Sequence, residues 1–536
     1  MRIFILILFL LPTISFAQKK DYKTYDKAVK YYNEGNNEKA KQLAFKILNK
    51  SAEWNKPNLL LASIFASEKN IEKAAEFLLN VYSEYNLNDV KGIEVVADLY
   101  YNNGYYSDAL YYLKSTLNHS DDKYQIVSMA TSLKMKSCKF AIEAIKNPTD
   151  IKFNNIGALI NSEMSEYVNA ISVDGEKLLF TRRIEASKER DQEDLFLYDI
   201  SEQSVSQLPF NTEYNEGAIT VSADGSMYVY TACDRDNSIG GCDLYIRQYS
   251  DKNGWTKEYN LGKNVNSKKW ESQACFSPDG KYLYFISSRN GGEGQEDIWR
   301  SEITKEGFLK AENLGSSINT SKSEMSPFLH PDNLTLYFAS DGHVGMGSDD
   351  LFLSRRTKTD EQWNTPKNMG FPINTHNSEN SLIVASDGKT AYYTSDQSGH
   401  GQEDIFVFEL PKQVQAEQIS NLEKEIISQK AGDEVVLQNV SFESNSAEIN
   451  SESYIELDNL IDYLIKNPSL KIEIQGHTDD VGSEFDNQRL SEKRAKVVFE
   501  YLSSKVANTL WFKGYGEIQP LGENKAENRR SSFVIQ

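Results

Sequence analysis

Residues 472–482 read IEIQGHTDDVG, and residues 487–495 read NQRLSEKRA. The first stretch predicts a strand that ends in a glycine-flanked loop carrying Asp479. The second predicts a helix, because apolar residues recur from Leu490 at helical spacing, and Arg494 falls on that same apolar stripe. A guanidinium that faces inward is costly to bury unless an anion meets it. That anion is either the Asp479 carboxylate or a carboxylate brought by a ligand.

These motifs resemble the C-terminal, peptidoglycan-associated domain of the OmpA family. The resemblance covers about a fifth of the chain, from roughly Val435 to Gln536, and several motifs occur in the same order. In that family the loop aspartate and the helix arginine hold diaminopimelate of the cell-wall stem peptide, and they correspond here to Asp479 and Arg494. The chemistry fits, since arginine presents a planar fork to a carboxylate and aspartate accepts from an ammonium. The other matching motifs are VSFESNSAEI around Phe442, GYGE at 514–517 with Pro520, and NRR at 528–530.

The resemblance implies a peptidoglycan site made of Asp479, Arg494, Thr478, Asn487 and Leu490. The alternative is a structural salt bridge between Asp479 and Arg494. The chain departs from the family pattern in having a short stretch before the NRR motif. The resemblance therefore gives no expectation for the contacts that this last loop makes.

Length and charge limit the classes of function. A chain of 536 residues predicts three or four domains, and a net charge of −20 makes nucleic acid an unfavourable partner. Residues 1–17 are typical of a secretory signal peptide, with Arg2, an apolar run and the small-residue cleavage site Ser15-Phe16-Ala17. An uncleaved anchor is the alternative, but the apolar run is short for a bilayer. No transmembrane segment is predicted after Gln18, so we expect an exported protein. The resemblance to the OmpA family implies a periplasmic location in association with the outer membrane and cell wall.

Four cysteines occur, and two of them lie in the stretch ACDRDNSIGGCD. Cys233 and Cys242 flank a glycine-containing turn between two predicted strands, and an exported compartment permits a disulfide. Two free thiols are the alternative. Cys138 and Cys275 are interpreted as packing residues. No CxxC pair indicates a zinc site.

Residues 18–148 resemble a tetratricopeptide array. Ala40, Ala74 and Ala109 recur at spacings of 34 and 35 residues, and each follows another alanine by twelve residues. Small residues at these positions allow two helices to pack closely. We expect three helix pairs and a helical tail. Such arrays bind partner proteins, and at least half of the paired tyrosines between Tyr100 and Tyr112 are interpreted as core.

Residues 153–410 contain five copies of a unit with a period of 50–55 residues. Each copy has an Asn–Ser/Thr element followed by a glutamate, then a tight Asp-Gly or Asp-Asn turn, then an aspartate that opens an apolar strand. The turn residues tolerate positive φ, and the length suits a four-stranded propeller blade. The three elements are Asn161/Glu166, Asn211/Glu216, Asn266/Glu271, Asn319/Glu324 and Asn374/Glu379; the turns at 174, 224, 279, 332 and 387; and Asp194, Asp243, Asp297, Asp350 and Asp404.

These units resemble WD-like (PD-type) propeller repeats, with the clearest copy at 276–292, FSPDGKYLYFISSRNGG. The fifth copy lacks an outer strand, and the segment 153–160 has the form of one. We therefore expect this segment to close a five-bladed ring. A six-bladed ring with a divergent blade is the alternative.

No catalytic or metal-binding motif stands out. The five strand-opening aspartates are interpreted as turn caps, and the loop at Asp234 lacks the glutamate of a calcium loop. Neither Gly-x-Ser-x-Gly nor His-Glu-x-x-His occurs. We therefore predict a scaffold without catalytic residues, metal or cofactor. The alternative is an enzyme, borne by the propeller, that acts on cell-wall or peptide substrates through an unrecognised site.

Residues 411–432 are polar and predict a linker, so the chain reads as a multidomain protein with an all-α array, an all-β propeller and an α+β domain over 433–536. This order is similar to the periplasmic, peptidoglycan-associated component of type IX secretion and gliding systems. That component often has a further small β-domain, for which the linker here is too short. The resemblance implies outer-membrane or secretion-complex proteins as partners of the helical array and propeller.

Overall fold

The computed structural model describes residues 18–51, 54–83, 90–118, 129–187, 190–250, 252–396, 399–429, 432–442 and 446–536. The predicted signal peptide, residues 1–17, lies outside these ranges. The chain divides into two compact units. The first holds the chain up to Pro148 together with His343–Ser348 and Gly370–Ser378, and the second holds the remainder.

The first unit is helical. Helix α1 packs on α2, α3 on α4 and α5 on α6, and α7 follows the third pair. The alanines that set the sequence period, Ala40, Ala74 and Ala109, are fully buried, because close helix packing leaves no room for a larger side chain. The predicted helix pairs and helical tail are confirmed in the described part of the unit. The helices are α1 Gln18–Asn33, α2 Asn37–Leu48, α3 Asn55–Ser67, α4 Ile71–Ser83, α5 Val90–Tyr101, α6 Tyr106–Asn118 and α7 Met129–Lys146.

The tyrosines of α5 and α6 divide between core and surface. Tyr101 and Tyr106 are buried, and their hydroxyls donate to the carbonyl oxygens of Gly345 and Met346 at 3.2 and 2.8 Å. The Met346 side chain is fully buried among these helices. Tyr111 is 70% exposed. A segment far along the chain therefore completes the core of the helical unit, which the sequence did not indicate.

The second unit contains five antiparallel sheets, one for each sequence repeat. In each sheet the first strand begins at the repeat's glutamate, and the tight turn joins it to the second strand. The turns have the expected left-handed residue, for example Gly175 at φ +80° and Asn333 at φ +57°. The sheets are β2 Glu166–Ile171, β3 Lys177–Ser187, β4 Arg190–Asp199 and β5 Ser204–Gln207; β6 Glu216–Val221, β7 Met227–Cys233, β8 Cys242–Ser250, β9 Gly254–Trp255 and β10 Tyr259–Asn260; β11 Glu271–Phe276, β12 Tyr282–Ser287, β13 Asp297–Thr304, β14 Gly307–Phe308 and β15 Glu312–Asn313; β16 Glu324–Leu329, β17 Thr335–Ser340, β18 Asp350–Arg355 and β19 Lys367–Asn368; and β20 Glu379–Val384, β21 Thr390–Ser395 and β22 Asp404–Glu409.

The fifth sheet takes its edge strand from before the first repeat. Strand β1, Asn154–Asn155, pairs antiparallel with β22, with Asn155 opposite Phe406. The Asn155 amide also donates to Asp404 at 2.7 Å, and the Phe153 ring packs 4.9 Å from the ring of Phe408. The prediction that segment 153–160 supplies this strand is confirmed for two residues.

The end of the second unit is an α+β domain with sheet order β23-β26-β24-β25. Strands β24 and β25 are parallel, so α10 between them is a crossover helix packed on the sheet. In the VSFESNSAEI motif, Phe442 forms an isolated antiparallel bridge with Ile449, and residues 443–445 lie outside the described ranges. The elements are α8 Asn421–Ser428, β23 Glu434–Val436, a 3₁₀ turn Ser451–Ser453, α9 Tyr454–Lys466, β24 Lys471–His477, α10 Glu484–Ser503, β25 Thr509–Gly516, α11 Lys525–Asn528 and β26 Ser531–Ile535.

The segment predicted as a linker is packed against its neighbours. The Tyr337 hydroxyl donates to the carbonyl of Val414 at 2.7 Å. Leu422 of α8 joins the core of the α+β domain. At the end of α9, the Lys466 carbonyl accepts from the Thr359 amide at 3.0 Å, and the Lys466 ammonium lies 2.8 Å from Glu417. The five-sheet region and the α+β domain are therefore joined by direct contacts as well as by chain.

Candidate functional site

The predicted site residues lie where β24 ends and α10 begins. Helix α10 sits unusually close to the sheet, because a Cβ on Gly476 would lie 2.3 Å from the Ser491 carbonyl and one on Gly514 would lie 2.4 Å from the Glu492 amide. Glycine at both positions permits this approach. The Ser483 hydroxyl caps the helix by accepting from the Asp486 amide. The fold thereby brings the loop after β24 beside the inner face of α10.

Asp479 is held by three contacts and is 8% exposed. Its Oδ2 lies 2.6 Å from Nη1 of Arg529. Its Oδ1 accepts from the Val481 amide at 3.2 Å, and its backbone carbonyl accepts from the Asn487 side chain at 3.1 Å. The carboxylate pairs with Arg529, and the structure shows no hydrogen bond or salt bridge between the described side chains of Asp479 and Arg494.

Arg494 faces inward, as predicted, and is 8% exposed. Its Nε donates to the Ser446 carbonyl at 3.0 Å, and its guanidinium lies 4.9 Å from the centre of the Phe442 ring. Burial, and then the charge of Arg529, lower its pKa, while Asp479 opposes them. Within the described residues, its two terminal nitrogens have no hydrogen-bond partner.

The other predicted site residues lie around this pair. Thr478 is 5% exposed, its amide donates to Gly516, and its Oγ1 has no hydrogen-bond partner among the described residues. The Asn487 side chain is buried and also donates to Glu517 at 2.6 Å. Leu490 is half-buried, one helical turn before Arg494. These placements bring Thr478 and Asn487 to the Asp479 loop.

Sequence reasoning missed Arg529 and the contacts of the last loop. Arg529 follows α11, and Lys525 in that short helix lies 2.6 Å from Asp480. Arg530, the next residue, turns the other way and pairs with Glu434 at 2.7 Å. The NRR motif was the available signal, but only the fold shows which arginine meets Asp479.

His477 ends β24 and is 1% exposed. Its ring stacks on Tyr515 at 5.4 Å with an interplanar angle of 6°. Burial, together with the positive Arg530, lowers the pKa of His477 to about 4, although Glu434 lies 3.4 Å away. The imidazole is therefore neutral near pH 7.

Three of the five repeat aspartates cap the turn before the third strand of their sheet, whereas Asp194 lies inside β4 rather than at its start. Asp243 accepts from the amides of Ile239 and Gly240, and Asp297 and Asp404 accept from two loop amides each. This confirms the turn-cap interpretation for three repeats. In the described part of the chain, no group of three or more His, Cys, Asp or Glu side chains is placed to hold a metal ion.

The four cysteines divide into a close pair and two buried thiols. Cys233 faces Cys242 across β7 and β8, with the sulfur atoms 2.04 Å apart. Cys138 and Cys275 are free and buried. The register of β7 and β8 thus places the two cysteines of the candidate pair opposite each other.

Comparison with known families addresses the last domain. Residues 441–532 match the OmpA family. These residues are an OmpA-family domain. The matched range contains Asp479, Arg494, Thr478, Asn487 and Leu490, and its sequence carries both motifs that first indicated a ligand site.

Three relatives share the OmpA-family domain. The chain is 34% identical over 105 residues to outer membrane porin F of Pseudomonas aeruginosa, covering 18% of this chain and 30% of the porin. It is 35% identical over 104 residues to the peptidoglycan-associated lipoprotein of Buchnera aphidicola, covering 18% and 60%. It is 31% identical over 103 residues to the peptidoglycan-binding protein ArfA of Mycobacterium tuberculosis, covering 18% and 32%. The chain thus spans less than two thirds of each relative.

A separate observation concerns membranes. Across the described ranges, none of the helices combines the length and the apolar character needed to cross a bilayer.

Proposed function

We propose that the OmpA-family domain binds peptidoglycan without covalent bonds and anchors the protein to the cell wall. The observation that carries this proposal is Arg494, a guanidinium 8% exposed whose terminal nitrogens have no partner among the described residues. Burying a cation without an anion is unfavourable. A ligand carboxylate would remove that cost. Two relatives are named as a peptidoglycan-associated lipoprotein and a peptidoglycan-binding protein, which supports the cell wall as the source of the ligand.

The finer proposal is that the ligand is the diaminopimelate of the stem peptide. Its carboxylate would meet the fork of Arg494, and its ammonium would meet Asp479. The unpartnered Thr478 hydroxyl adds a hydrogen-bond donor and acceptor beside Asp479. Leu490 would contact the methylene chain of the ligand. A zwitterionic end group supplies a carboxylate for Arg494 and an ammonium for Asp479, whereas a simple anion would engage Arg494 alone.

Co-sedimentation with purified sacculi tests the proposal. Charge-assisted hydrogen bonds contribute roughly 1.5–3 kcal/mol each, so the double variant Asp479→Ala, Arg494→Ala should sediment about tenfold less or worse. The matched control is Asp480→Ala with Arg489→Ala, which removes an exposed acid and an exposed arginine from the same loop and helix. This control should sediment like the wild type. If the folded double variant also sediments like the wild type, the site is wrongly assigned.

We further infer that the five sheets form a five-bladed propeller. The support is that the first strands of the sheets contact one another in cyclic order, including β2 with β20, and that β1 closes the fifth sheet. The described residues contain five such sheets, which favours five blades over six.

The scaffold role of the remaining parts is also a proposal. The period and packing of the helix pairs support a tetratricopeptide array that docks partner proteins, with the propeller as a second docking surface, in a periplasmic complex of the outer membrane. The domain order supports a place in a type IX secretion or gliding apparatus. Pull-down from envelope extract with the full-length protein tests this. Recovery of outer-membrane complex proteins, lost when exposed Tyr111 is changed to Ala, is the expected result.

A further inference from the structure

A cavity of about 300 Å³ lies where the first strands of the five sheets meet. Each of the strands β2, β6, β11, β16 and β20 contributes lining residues. Four of these strands have a residue with φ near +50° where the pairing register shifts, and such bulges redirect side chains. The cavity size falls at the lower end of the range for ligand pockets, about 300–1,000 Å³.

The cavity wall carries amide side chains whose orientations are fixed by internal hydrogen bonds. The Asn169 carbonyl oxygen accepts from the Thr181 hydroxyl at 2.6 Å, and the Gln273 carbonyl oxygen accepts from the Ser326 amide at 2.8 Å. The Asn215 carbonyl oxygen accepts from the Glu193 amide at 3.0 Å. Because each oxygen is occupied, each amide presents its NH₂ group as a donor. In the described chain, none of these three NH₂ groups has a hydrogen-bond partner.

The same wall offers an acceptor without a partner. The Oδ1 atom of Asn380 is buried and has no hydrogen-bond partner among the described residues, and a rotation of this cavity-lining side chain would bring it to a molecule in the cavity. An unpaired polar atom of this kind costs roughly 1–3 kcal/mol unless a bound molecule satisfies it. The half-buried rings of Tyr167 and Trp270 add apolar faces to the wall.

The charges of the wall limit the ligand. Glu193, whose carboxylate lies 3.5 Å from the Arg183 guanidinium, and Asp349 line the cavity, and its lining residues include no Lys, Arg or His. A phosphate or carboxylate would therefore find no cation among the lining residues to pair with. A ligand ammonium would be attracted, but it has no acceptor for the three NH₂ donors and would leave them unpaired. Hydroxyl groups satisfy both kinds of wall group, since each donates and accepts.

We propose that this cavity binds an uncharged saccharide unit. The hydroxyls of a sugar ring would accept from Asn169, Asn215 and Gln273 and donate to Asn380 Oδ1. The C–H face of the ring would pack on Trp270. This site lies in the five-sheet region and uses none of the residues assigned to peptidoglycan binding, so it stands apart from the proposed function.

Saturation-transfer NMR on the full-length protein tests the site. The probes are a trimer of N-acetylglucosamine and a trimer of glucose, each at roughly 10 mM, a concentration at which weak binding is detectable. We expect transfer to the ring protons of at least one trimer. The variant Asn380→Leu keeps the side-chain volume but removes the acceptor, and Trp270→Ala removes the apolar face. Each should reduce the transfer at least about fivefold. Matching thermal midpoints would show that the variants are folded.

Three outcomes overturn the proposal. These are no transfer to either trimer, transfer that both folded variants retain, and binding of a lysine pentapeptide at the cavity in place of the sugars. The double variant Asp479→Ala, Arg494→Ala should keep the sugar signal, because these residues belong to the other site. Loss of sacculus binding with retained sugar binding, or the reverse, separates the two proposals.

Discussion

The Asp479 carboxylate lies 2.6 Å from the Arg529 guanidinium and does not pair with Arg494. The two arginines therefore differ in their contacts. Arg529, whose side chain is 49% exposed, pairs with the aspartate. Arg494 is buried, and its terminal nitrogens have no hydrogen-bond partner among the described residues, which is why the proposed site assigns them to a ligand carboxylate. A ligand ammonium must share Asp479 with Arg529 or displace it.

Replacing Arg529 by Gln should make a diaminopimelate-containing muropeptide bind as well as the wild type or up to about fivefold more tightly. The reason is that a cation that competes for Asp479 is removed, and a fivefold change in affinity corresponds to about 1 kcal/mol. Isothermal titration measures the dissociation constant, with Lys525→Gln, which loses the neighbouring pair to Asp480, as the control. A loss of affinity beyond tenfold in Arg529→Gln would instead show that Arg529 contacts the ligand.

His477 should make the folded chain less stable as pH falls from about 6.5 to about 4. The unfolded chain takes up a proton near the ordinary pKa of 6.5, while burial holds the pKa of folded His477 at about 4. Protons then favour the unfolded state by up to ~3 kcal/mol. Thermal unfolding of wild type and His477→Asn at several pH values measures this. The stability advantage of the wild type over the variant should shrink through this window, and a constant advantage contradicts the prediction.

Glu324 should produce the opposite pH dependence. Its carboxyl group is fully buried, and burial raises its pKa from 4.5 to about 7. Since the folded state keeps this proton when the unfolded state has lost it, its stabilising effect is present below pH 4.5 and is lost as pH rises to about 7, by up to ~3 kcal/mol. Glu324→Gln should remove this slope. The control is Glu271→Gln at the equivalent position of another repeat; it removes the carboxylate that pairs with Arg289, so it should lower stability at every pH. If the unfolding free energy of wild type and of Glu324→Gln depends on pH in the same way, Glu324 is not the group responsible.

Asn155 should be needed to hold the edge strand of the fifth sheet. Its amide donates to Asp404 and its oxygen accepts from Asn161, so Asn155→Ala should cost about 1–3 kcal/mol in unfolding free energy. The exposed neighbour Asn154 on the same strand is the matched control, and Asn154→Ala should cost much less. Hydrogen exchange on β22 provides a local measurement. Equal protection in both variants would mean that β1 does not secure the sheet.

Cys233 and Cys242 should be linked in protein isolated from the periplasm. They stand opposite each other in the register of β7 and β8, and closing so short a loop contributes at most about 3 kcal/mol. Peptide mapping without reductant should find them joined. Cys138 and Cys275 should react with alkylating reagents only after unfolding, since burial raises the pKa of their thiols to about 12 and about 11. Alkylation of Cys233 and Cys242 in the native protein would exclude the bond.

Local patterns predicted the elements and the direction of key side chains. The helical stripe placed Arg494 on the buried face of α10, and the repeat offset placed 153–160 at the fifth sheet. Neither required knowledge of distant contacts. The pairing of Asp479 with Arg529 was not predictable in this way, because residues 50 positions apart meet only when β26 joins the sheet. The burial of Met346 in the helical unit could not be predicted either, because it too depends on a contact between distant parts of the chain.

The contacts of Lys466 have a mechanical consequence. Its carbonyl accepts from Thr359 and its ammonium lies beside Glu417 and Glu423. The OmpA-family domain is therefore held by direct contacts as well as by the connecting chain. Tension arriving from the wall would pass through these contacts into the strands before it could extend residues 411–420. If the domain is anchored to the wall as proposed, a movement of the wall driven by turgor would be transmitted as a force to any partner bound to the five sheets.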